Sequence, residues 1–262
     1  MAYFTTLYSG SSGNCALVEE DGRFLLVDLG KSCRITALAL KDLGLAPSGL
    51  GGILVTHEHH DHVSGLTVFL KKWNAPVYGR AATLDVLAQR GVVHPHTELV
   101  DMDGRQEDVM GFGVESFTTS HDSVACCGYR ITTPKGKTVA IATDLGIVSD
   151  EVLANLYCAD LVALEANYDQ HMLATGPYPA YLKARIASSR GHLSNDECAA
   201  TLVRLMQGGC GKFSLCHISQ ENNAPMLALG SVQAAMLEAG LAPDAVRVQA
   251  ALRHEVSPLF EL

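Results

Sequence analysis

The sequence has no excess of positive charge. Its 19 Lys and Arg residues stand against 28 Asp and Glu residues, which gives a formal net charge of −9 at pH 7. Proteins that hold nucleic acid mainly through bulk charge are basic, so this class is not expected here. A phosphate-binding function would instead depend on local basic groups or on bound cations, which can dominate the field of one site.

Long apolar runs are also missing, and no stretch is sufficient to span a membrane. Residues 1–5 lack the basic region and apolar core of a signal peptide. The eight cysteines show no C-x-x-C spacing, which predicts reduced and mostly buried thiols. We therefore expect a cytoplasmic protein with no membrane contact and no obligate protein partner.

Internal repeats, low-complexity tracts and long linkers are absent from the sequence. The 262 residues, 48% of them hydrophobic, suffice for one large α/β domain or two small ones. Strand-like runs alternate with helical ones, including a predicted helix over residues 63–73, which indicates sheets covered by helices. We predict one continuous domain over residues 1–262.

The densest functional signal is the run HEHHDH at residues 57–62, which follows a strand-like apolar segment. It has the pattern H-x-H-x-D-H and places four strong metal ligands within six residues. Imidazole and carboxylate groups suit divalent ions such as Zn²⁺ or Mn²⁺. A strand that ends in a turn and opens a helix can direct His57 and His59 to one ion, and Asp61 and His62 to a second. A solvated polar loop is the alternative, but it does not account for so dense a run.

Three later apolar segments each end in a further ligand type, namely His121, Asp144 and His217. A single residue of this kind after a strand is usually a turn residue or a satisfied polar group. Three of them downstream of H-x-H-x-D-H form a pattern. An earlier strand-like segment also ends in a carboxylate, that of Asp28.

With these residues the sequence resembles the metallo-β-lactamase-fold hydrolases over essentially the whole chain. The resemblance implies an α/β fold, a four-layer αβ/βα sandwich of two mixed sheets flanked by helices, with two divalent metal ions at one edge. It implies His57, His59 and His121 as ligands of the first ion, Asp61, His62 and His217 as ligands of the second, and Asp144 as the bridge. Zn²⁺ and Mn²⁺ are the expected metals, and the ligands also suit Fe²⁺.

Asp28 matches the first aspartate of that family. The implied role is a hydrogen bond that fixes the shape of the ligand loop, and a simple turn residue is the alternative. The flavodiiron branch of the fold has a Glu where this chain has His59, which argues against di-iron oxygen reduction.

Five further segments narrow the resemblance to the YycJ/WalJ (VicX) subfamily, close to the cyclic phosphodiesterase and tRNA 3′-processing branches. They are GSSGN at 10–14, LEANYD at 164–169, GPYP at 176–179, GHLSN at 191–195 and HISQEN at 217–222. Members are described as DNA exonucleases that act from the 5′ end. The resemblance therefore implies DNA as the substrate.

His192 precedes a predicted helix start, where Ser194 and Glu197 have the spacing of a capping box. Amides at a helix start favour an anion, so a phosphate could lie between the metals and this helix. A metal-activated hydroxide would attack phosphorus in line, with the ions about 3.5–4 Å apart. His192 could protonate the leaving oxygen or neutralise its developing charge, a contribution of about 10²–10⁴ in rate. Asp61 and His192 are the predicted catalytic residues, and a structural loop histidine is the alternative for His192.

Substrate contacts are predicted at Ser11, Asn14 and Ser194, whose side chains could reach phosphate oxygens; turn or cap roles are the alternative. The basic residues just upstream of His192 are Lys183, Arg185 and Arg190. On one helix, Lys183 and Arg190 would share a face and form a basic lip for a nucleic-acid backbone. An ordinary solvated helix face is the other interpretation.

Three functions remain open. The first is a two-metal phosphodiesterase, with a DNA exonuclease acting from the 5′ end as the preferred form. This function would account for the segment 191–195. The second is a metallohydrolase of a small cyclic phosphodiester, thioester, lactone or β-lactam. The third is a binding module without catalysis, which would not need a full ligand set. The segment between Asp144 and His217 is too short for the insertion of the β-CASP nucleases, which favours a compact phosphodiesterase.

Overall fold

The computed structural model describes residues 1–262, apart from the side chain of Pro243. Over this range the strands form two mixed sheets of seven strands each. The strands of the first sheet are β1 (Ala2–Tyr8), β2 (Cys15–Glu20), β3 (Arg23–Val27), β4 (Leu50–Leu54), β5 (Val77–Gly79), β6 (Leu99–Asp101) and β14 (Phe260–Glu261). The strands of the second are β7 (Gln106–Val109), β8 (Phe112–Thr118), β9 (Cys127–Thr132), β10 (Thr138–Ala142), β11 (Leu161–Glu165), β12 (Lys212–Cys216) and β13 (Arg247–Ala250).

The two sheets are built alike. The first has the order β14-β1-β2-β3-β4-β5-β6 and the second the order β13-β12-β11-β10-β9-β8-β7. In each, an antiparallel meander, β1-β2-β3 or β8-β9-β10, continues into parallel strands, β4 to β6 or β11 to β13. Parallel strands direct their carboxyl ends to one edge of a sheet, and that edge is where ligand sites form in such folds.

Helices cover the outer face of each sheet. Those of the N-terminal half are α1 (Cys33–Asp42), α2 (His60–Val63), α3 (Leu66–Lys72) and α4 (Ala81–Gln89). Those of the C-terminal half are α5 (Asp150–Leu156), α6 (Gln170–Thr175), α7 (Ala180–Ile186), α8 (Asn195–Gln207) and α9 (Pro225–Glu238). Short 3₁₀ helices span Pro47–Gly49 and Pro243–Ala245. Within the range described, no helix combines the length and the apolar character needed to cross a membrane.

Strand β3 shows how the layers are held together. Leu25 and Val27 lie in the apolar core between the two sheets, whereas Phe24 and Leu26 pack against the helices of the N-terminal half. A strand buried on both faces is a continuous apolar run, as the sequence has here. The C-terminal half repeats the arrangement, with its own core between the second sheet and its helices. The predicted four-layer αβ/βα sandwich is confirmed.

The helix predicted over residues 63–73 is wrong in its extent, because α2 ends at Val63 and α3 begins at Leu66. Gly65 separates the two helices and donates its backbone N–H to the carbonyl oxygen of Leu29. A Cβ atom at this position would overlap the carbonyl oxygen of Lys31. The close approach of two backbones therefore breaks the helix.

Candidate metal centre

The seven predicted ligands converge at the edge of the molecule where β4, β10 and β12 end. They are His57, His59, Asp61, His62, His121, Asp144 and His217. Their ligand atoms form overlapping groups in which all atoms lie within 4.8 Å of one another. Strand pairing within each sheet brings residues distant in sequence to this one place.

The first group consists of His57, His59 and His121. The ring centroids are 4.5 Å apart for His57 and His59, and 5.1 Å apart for each of the other two pairs. His57 and His121 are buried, whereas His59 is half-buried. Three imidazoles around one point match the predicted ligands of the first ion.

The second group consists of Asp61, His62 and His217. Oδ2 of Asp61 lies 3.4 Å from Nε2 of His62 and 3.3 Å from Nε2 of His217. Both imidazoles are buried, and the carboxylate is the more accessible member with 25% of its side chain exposed. This group matches the predicted ligands of the second ion.

Asp144 lies between the two groups. One carboxylate oxygen, Oδ2, is 3.3 Å from Nε2 of His62. The other, Oδ1, is 3.8 Å from Nε2 of His121 and 3.6 Å from Nε2 of His217. A single carboxylate thus reaches members of both groups, which is the position that a bridging ligand requires.

Hydrogen bonds on the far side of the rings fix which nitrogen faces the centre. The Nδ1 atom of His62 donates to Oδ2 of Asp28 over 2.7 Å, and that of His121 donates to the carbonyl oxygen of Gly191 over 2.9 Å. Each ring therefore directs Nε2 inward. Groups that orient a ligating histidine in this way also raise its basicity.

Asp28 forms hydrogen bonds to residues 56–62, here called the ligand loop, and fixes their conformation. Besides His62, its carboxylate accepts hydrogen bonds of 2.8 Å from both the backbone N–H and the hydroxyl of Thr56. The loop also lies directly on Gly30, where a Cβ atom would overlap the carbonyl oxygen of Asp61. Asp28 is only 2% exposed, so it acts through the loop and not on a substrate.

Glu165, the last residue of β11, is a site residue that the sequence analysis missed. Its Oε1 accepts hydrogen bonds from Nδ1 of His192 over 2.7 Å and from Nδ1 of His217 over 3.0 Å. Its Oε2 accepts from the backbone N–H groups of Leu145 and Leu193. Burial raises the pKa of the Glu165 carboxyl, but the two histidines outweigh burial and hold it well below its usual range. The available signal is its place at the end of a buried strand, close to that of Asp28, which directly follows one.

Three residues of the centre have strained backbones. Asp28 and His217 directly follow a strand, Asp144 lies two residues after the end of β10, and their φ values are 63°, 52° and 57°. Positive φ is uncommon for residues other than glycine, and it costs roughly 1–3 kcal/mol per residue. Such strain persists where the surroundings hold it, and here it turns each side chain toward the centre.

The chemistry of the donor set fits divalent cations. Among the side chains that the structure describes, Nε2 of His57 and Oδ2 of Asp144 are buried without a hydrogen-bond partner. Burial lowers the pKa of His57, which favours the neutral imidazole that ligates metals. At His217 burial is outweighed by Asp144, Asp61 and Glu165, which raise its pKa to about 10 and mark an excess of negative charge. Imidazole and carboxylate donors in such a field suit Zn²⁺, Mn²⁺ or Fe²⁺ alike.

A cavity of about 270 Å³ opens above these ligands. Its walls include Ser11 on one side and, from the region of α7, Tyr178 and Leu182 on the other. Ser11 is exposed and is therefore placed where it can meet a substrate. We call this space the metal cavity.

The other two predicted phosphate contacts lie beneath the metal cavity and not on its wall. Asn14 is buried and uses its amide on Gly10, Asp61 and His62. Ser194 is fully buried, and its hydroxyl belongs to the predicted capping box with Glu197. Their placement supports the ligand loop and α8.

His192 lines the metal cavity with 21% of its side chain exposed. Its ring stacks on His217, with centroids 5.2 Å apart and an interplanar angle of 20°. Because Nδ1 is bonded to Glu165, Nε2 is left for the cavity. Burial lowers the pKa of His192, but the Glu165 carboxylate outweighs burial and raises it above the ordinary value.

The predicted helical face shared by Lys183 and Arg190 is wrong, because α7 ends at Ile186. Lys183 donates to the carbonyl oxygen of Ala174, and Arg185 forms an ion pair with Asp122. The Nε and Nη2 atoms of Arg190 lie 3.3 and 3.1 Å from the carbonyl oxygen of His121, to which they donate.

Comparison with known proteins bears on this geometry. The family model described as beta-lactamase superfamily domain matches residues 23–218. Exodeoxyribonuclease YycJ of Bacillus anthracis is 36% identical over 242 residues, which cover 91% of this chain and 90% of the relative. Exodeoxyribonuclease WalJ of Streptococcus pneumoniae is 35% identical over 228 residues, which cover 86% and 84%.

A solved structure gives the same answer for the fold. The metallo-beta-lactamase fold protein YhfI from Bacillus subtilis has a TM-score of 0.74 to this chain, with 18% identity. The alignment covers 98% of this chain and 100% of YhfI. The resemblance found in the sequence is therefore confirmed, and this chain is a hydrolase of the beta-lactamase superfamily that belongs to the family of YycJ and WalJ.

Proposed function

We propose that this protein is a metal-dependent exodeoxyribonuclease that removes nucleotides from the 5′ end of DNA. The observation that carries the proposal is the pair of ligand groups joined by Asp144, with His192 on the wall of the same cavity. Support for a DNA substrate comes from the names of YycJ and WalJ, relatives that align over most of their lengths. We place the activity in the cytoplasm, where the eight free thiols of the chain would stay reduced.

The metal-binding residues would be His57, His59 and His121 for one ion and Asp61, His62 and His217 for the other, with Asp144 between them. Two divalent ions bound there supply an acidified water as nucleophile and offset the charge of the phosphate. Side chains of this protein would orient the nucleophile and protonate the leaving group.

Asp61 orients the nucleophile. It is the partly exposed carboxylate of the second group, and its Oδ2 lies 3.3 Å from Nε2 of His217. The amide of Asn14 steadies the same oxygen, Oδ2, at 3.4 Å. This oxygen therefore has a fixed position at the floor of the metal cavity, from which it can accept a hydrogen bond from the attacking water.

His192 protonates the leaving oxygen. Glu165 fixes the ring through Nδ1 and raises the pKa of the imidazole, so that Nε2 carries a proton to donate. General acid catalysis of this kind is worth about 10²–10⁴ in rate. Glu165 does not reach the cavity and is a positioning residue for both His192 and His217.

The shape of the metal cavity favours attack at a strand end. Its volume of about 270 Å³ is small, and residues of the α7 region form one wall. A DNA duplex cannot enter such a space, whereas a single nucleotide at the end of a strand can. The same small volume keeps a second candidate open, which is hydrolysis of a small cyclic phosphodiester.

The test is digestion of double-stranded DNA carrying a label at the 5′ end or at the 3′ end, with added Mn²⁺. We expect early release of the 5′ label by the wild-type protein, and none with a chelator or with the His59→Ala variant. His60→Ala is the matched control, because His60 is exposed and its neighbours in the motif are the ligands. Early release of the 3′ label alone would contradict the direction. Intact DNA with metal bound would favour the small phosphodiester.

A further inference from the structure

A second cavity, of about 540 Å³, adjoins the metal cavity. His121 lines both spaces. Arg190 lines the second cavity, and its chain neighbours Gly191 and His192 line the first. The two cavities are therefore separated by single residues.

Arg80, at the start of α4, forms one side of the second cavity. Its Nη2 atom donates to the hydroxyl of Thr118 over 3.1 Å, and its Nε atom lies 3.3 Å from a carboxylate oxygen of Asp103. The side chain is held in place and only 19% exposed. A guanidinium has five N–H groups, so donors remain for a ligand.

Arg190 is the second arginine on this lining. Its partner is the carbonyl oxygen of His121, which leaves the positive charge of the guanidinium without neutralisation by that contact. Guanidinium groups match phosphate oxygens in geometry as well as in charge. Two of them line one cavity, where Arg80 pairs with Asp103 and Arg190 has a carbonyl oxygen as its partner.

The other residues on this lining include hydroxyl-bearing side chains and one exposed apolar side chain. Ser120, Ser123 and Ser149 contribute hydroxyl-bearing side chains. Val124 is 57% exposed and offers an apolar contact for a sugar or a base. Glu151 is the acidic residue among those that the structure places on this lining, and its Oε1 already accepts the backbone N–H of Thr118.

We propose that this second cavity, here called the arginine cavity, binds a second phosphate of the substrate strand, next to the phosphate cleaved in the metal cavity. The inference rests on the proposed function, because the ligand is a polynucleotide. The arginine cavity holds the strand by Arg80 and Arg190, and it aligns the scissile phosphate over the metal ligands. An acidic protein thereby binds DNA with two local cations.

The experiment compares Arg80→Gln with Arg34→Gln, a matched control on an exposed face of α1. Kinetics are measured on a short oligodeoxynucleotide and on bis(p-nitrophenyl) phosphate, which has a single phosphodiester. We expect Arg80→Gln to lower kcat/KM for the oligodeoxynucleotide by about tenfold to a hundredfold, mainly through KM, since a charged hydrogen bond is lost. Turnover of the single phosphodiester stays at the wild-type level, and Arg80→Lys recovers part of the loss.

Binding gives a readout that does not depend on turnover. Fluorescence anisotropy of a labelled oligodeoxynucleotide, with Ca²⁺ replacing the active metal, should show weaker binding for Arg80→Gln. The slope of log affinity against log salt should fall by about one, as for the loss of one phosphate contact. Dinucleotides with an extra phosphate at the 5′ or the 3′ end distinguish a terminal phosphate from an internal one, because only the phosphate that reaches the arginine cavity gives a difference between wild type and Arg80→Gln.

The outcomes separate this inference from the proposed function. Digestion and binding of the oligodeoxynucleotide by Arg80→Gln equal to those of Arg34→Gln would overturn the arginine cavity and leave the nuclease intact. An oligodeoxynucleotide that is not digested by any of the proteins would overturn the proposed function, and the anisotropy of Arg80→Gln would still decide whether Arg80 binds DNA. Arg190→Gln is measured with its metal content, because Arg190 also contacts His121.

Discussion

The two halves of the molecule solve the same problem with different carboxylates. In the N-terminal half, Asp28 follows β3 and accepts a hydrogen bond from Nδ1 of His62 over 2.7 Å. In the C-terminal half, Glu165 ends β11 and accepts one from Nδ1 of His217 over 3.0 Å. Each half thus brings a buried carboxylate to the back of one histidine of the second ligand group. The comparison shows that orientation of the ligands is built twice.

The difference between the two carboxylates lies in what else they hold. The other hydrogen bonds that the Asp28 carboxylate accepts come from Thr56, within the ligand loop. Glu165 binds His192 as well as His217. The carboxylate of the N-terminal half therefore orients a candidate ligand only, whereas that of the C-terminal half orients a candidate ligand and the proposed proton donor. The two halves of the site thus differ in the hydrogen bond between Glu165 and His192, which has no counterpart at Asp28.

The largest effect is expected at the residue that both halves share. Asp144→Ala removes a carboxylate near both ligand groups, so neither ion keeps its full set of ligands. We expect metal content to fall at both positions and nuclease activity to be abolished. Metal analysis of the purified protein checks this, with His60→Ala as the control. Normal metal content in Asp144→Ala would show that the two groups are independent.

The second largest effect is expected for His192, which lies in the C-terminal half. His192→Ala should retain both metals and lower kcat by about 10²–10⁴, since a general acid is lost and no predicted ligand is. Metal content and steady-state kinetics are measured on the same sample. Loss of metal in this variant would mean that His192 is a ligand, as its place beside Asp144 and His217 also allows.

The third effect compares the two carboxylates directly. Asp28→Asn and Glu165→Gln should each cost about 10–100-fold in metal affinity or activity, the range for residues that orient ligands. At saturating metal Asp28→Asn should regain most of its kcat, whereas Glu165→Gln should stay slow because His192 is no longer positioned. Metal titration followed by kcat at saturation separates them. Equal recovery of kcat by the two variants would show that Glu165 has no role beyond the one it shares with Asp28.

The sequence sufficed for the fold and for the set of candidate ligands, because both leave local patterns. H-x-H-x-D-H is a dense run, and His121, Asp144 and His217 follow apolar strands. Asn195 to Gln207 shows its capping box and forms the predicted helix α8. Edge strands of two to four residues, such as β14 and β7, carry too little pattern to be found.

The contacts between chain segments far apart in sequence could not be predicted. Glu165 lies 27 residues from His192 and 52 from His217, and only the folded sheet brings them together. The positive φ values of Asp144 and His217 are equally invisible, since tertiary contacts impose them against local preference. Arg190 lies beyond the end of α7 at Ile186, and its contact with the carbonyl oxygen of His121 leaves no pattern in the sequence.

The smallest effect is found in a turn that contacts both halves. Lys135 and Lys137 lie in the connection between β9 and β10. Lys135 pairs with Asp21 of the N-terminal half, and Lys137 pairs with Asp160 of its own half over 2.8 Å. Burial raises the pKa of Asp160, but Lys137 and the backbone N–H of Thr138 outweigh burial and lower it. A lowered pKa in the folded state stabilises the protein above the ordinary pKa of about 3.9, and this contribution is lost as the pH falls further.

Asp160→Asn should therefore reduce the free energy of unfolding at pH 7 by about 0.2–1 kcal/mol, the range for exposed ion pairs, because both side chains remain partly in water. Asparagine can still accept the hydrogen bond of Thr138, so the change reports the charge. Urea unfolding at pH 7 and at pH 3 should show a difference from wild type that shrinks at the lower pH, where Asp160 begins to be protonated. Asp21→Asn is measured for comparison, since Asp21 is about half exposed and pairs with both Lys135 and the N-terminal amine. A difference of equal size at both pH values would contradict the charge effect and would mean that Asp160 acts through packing.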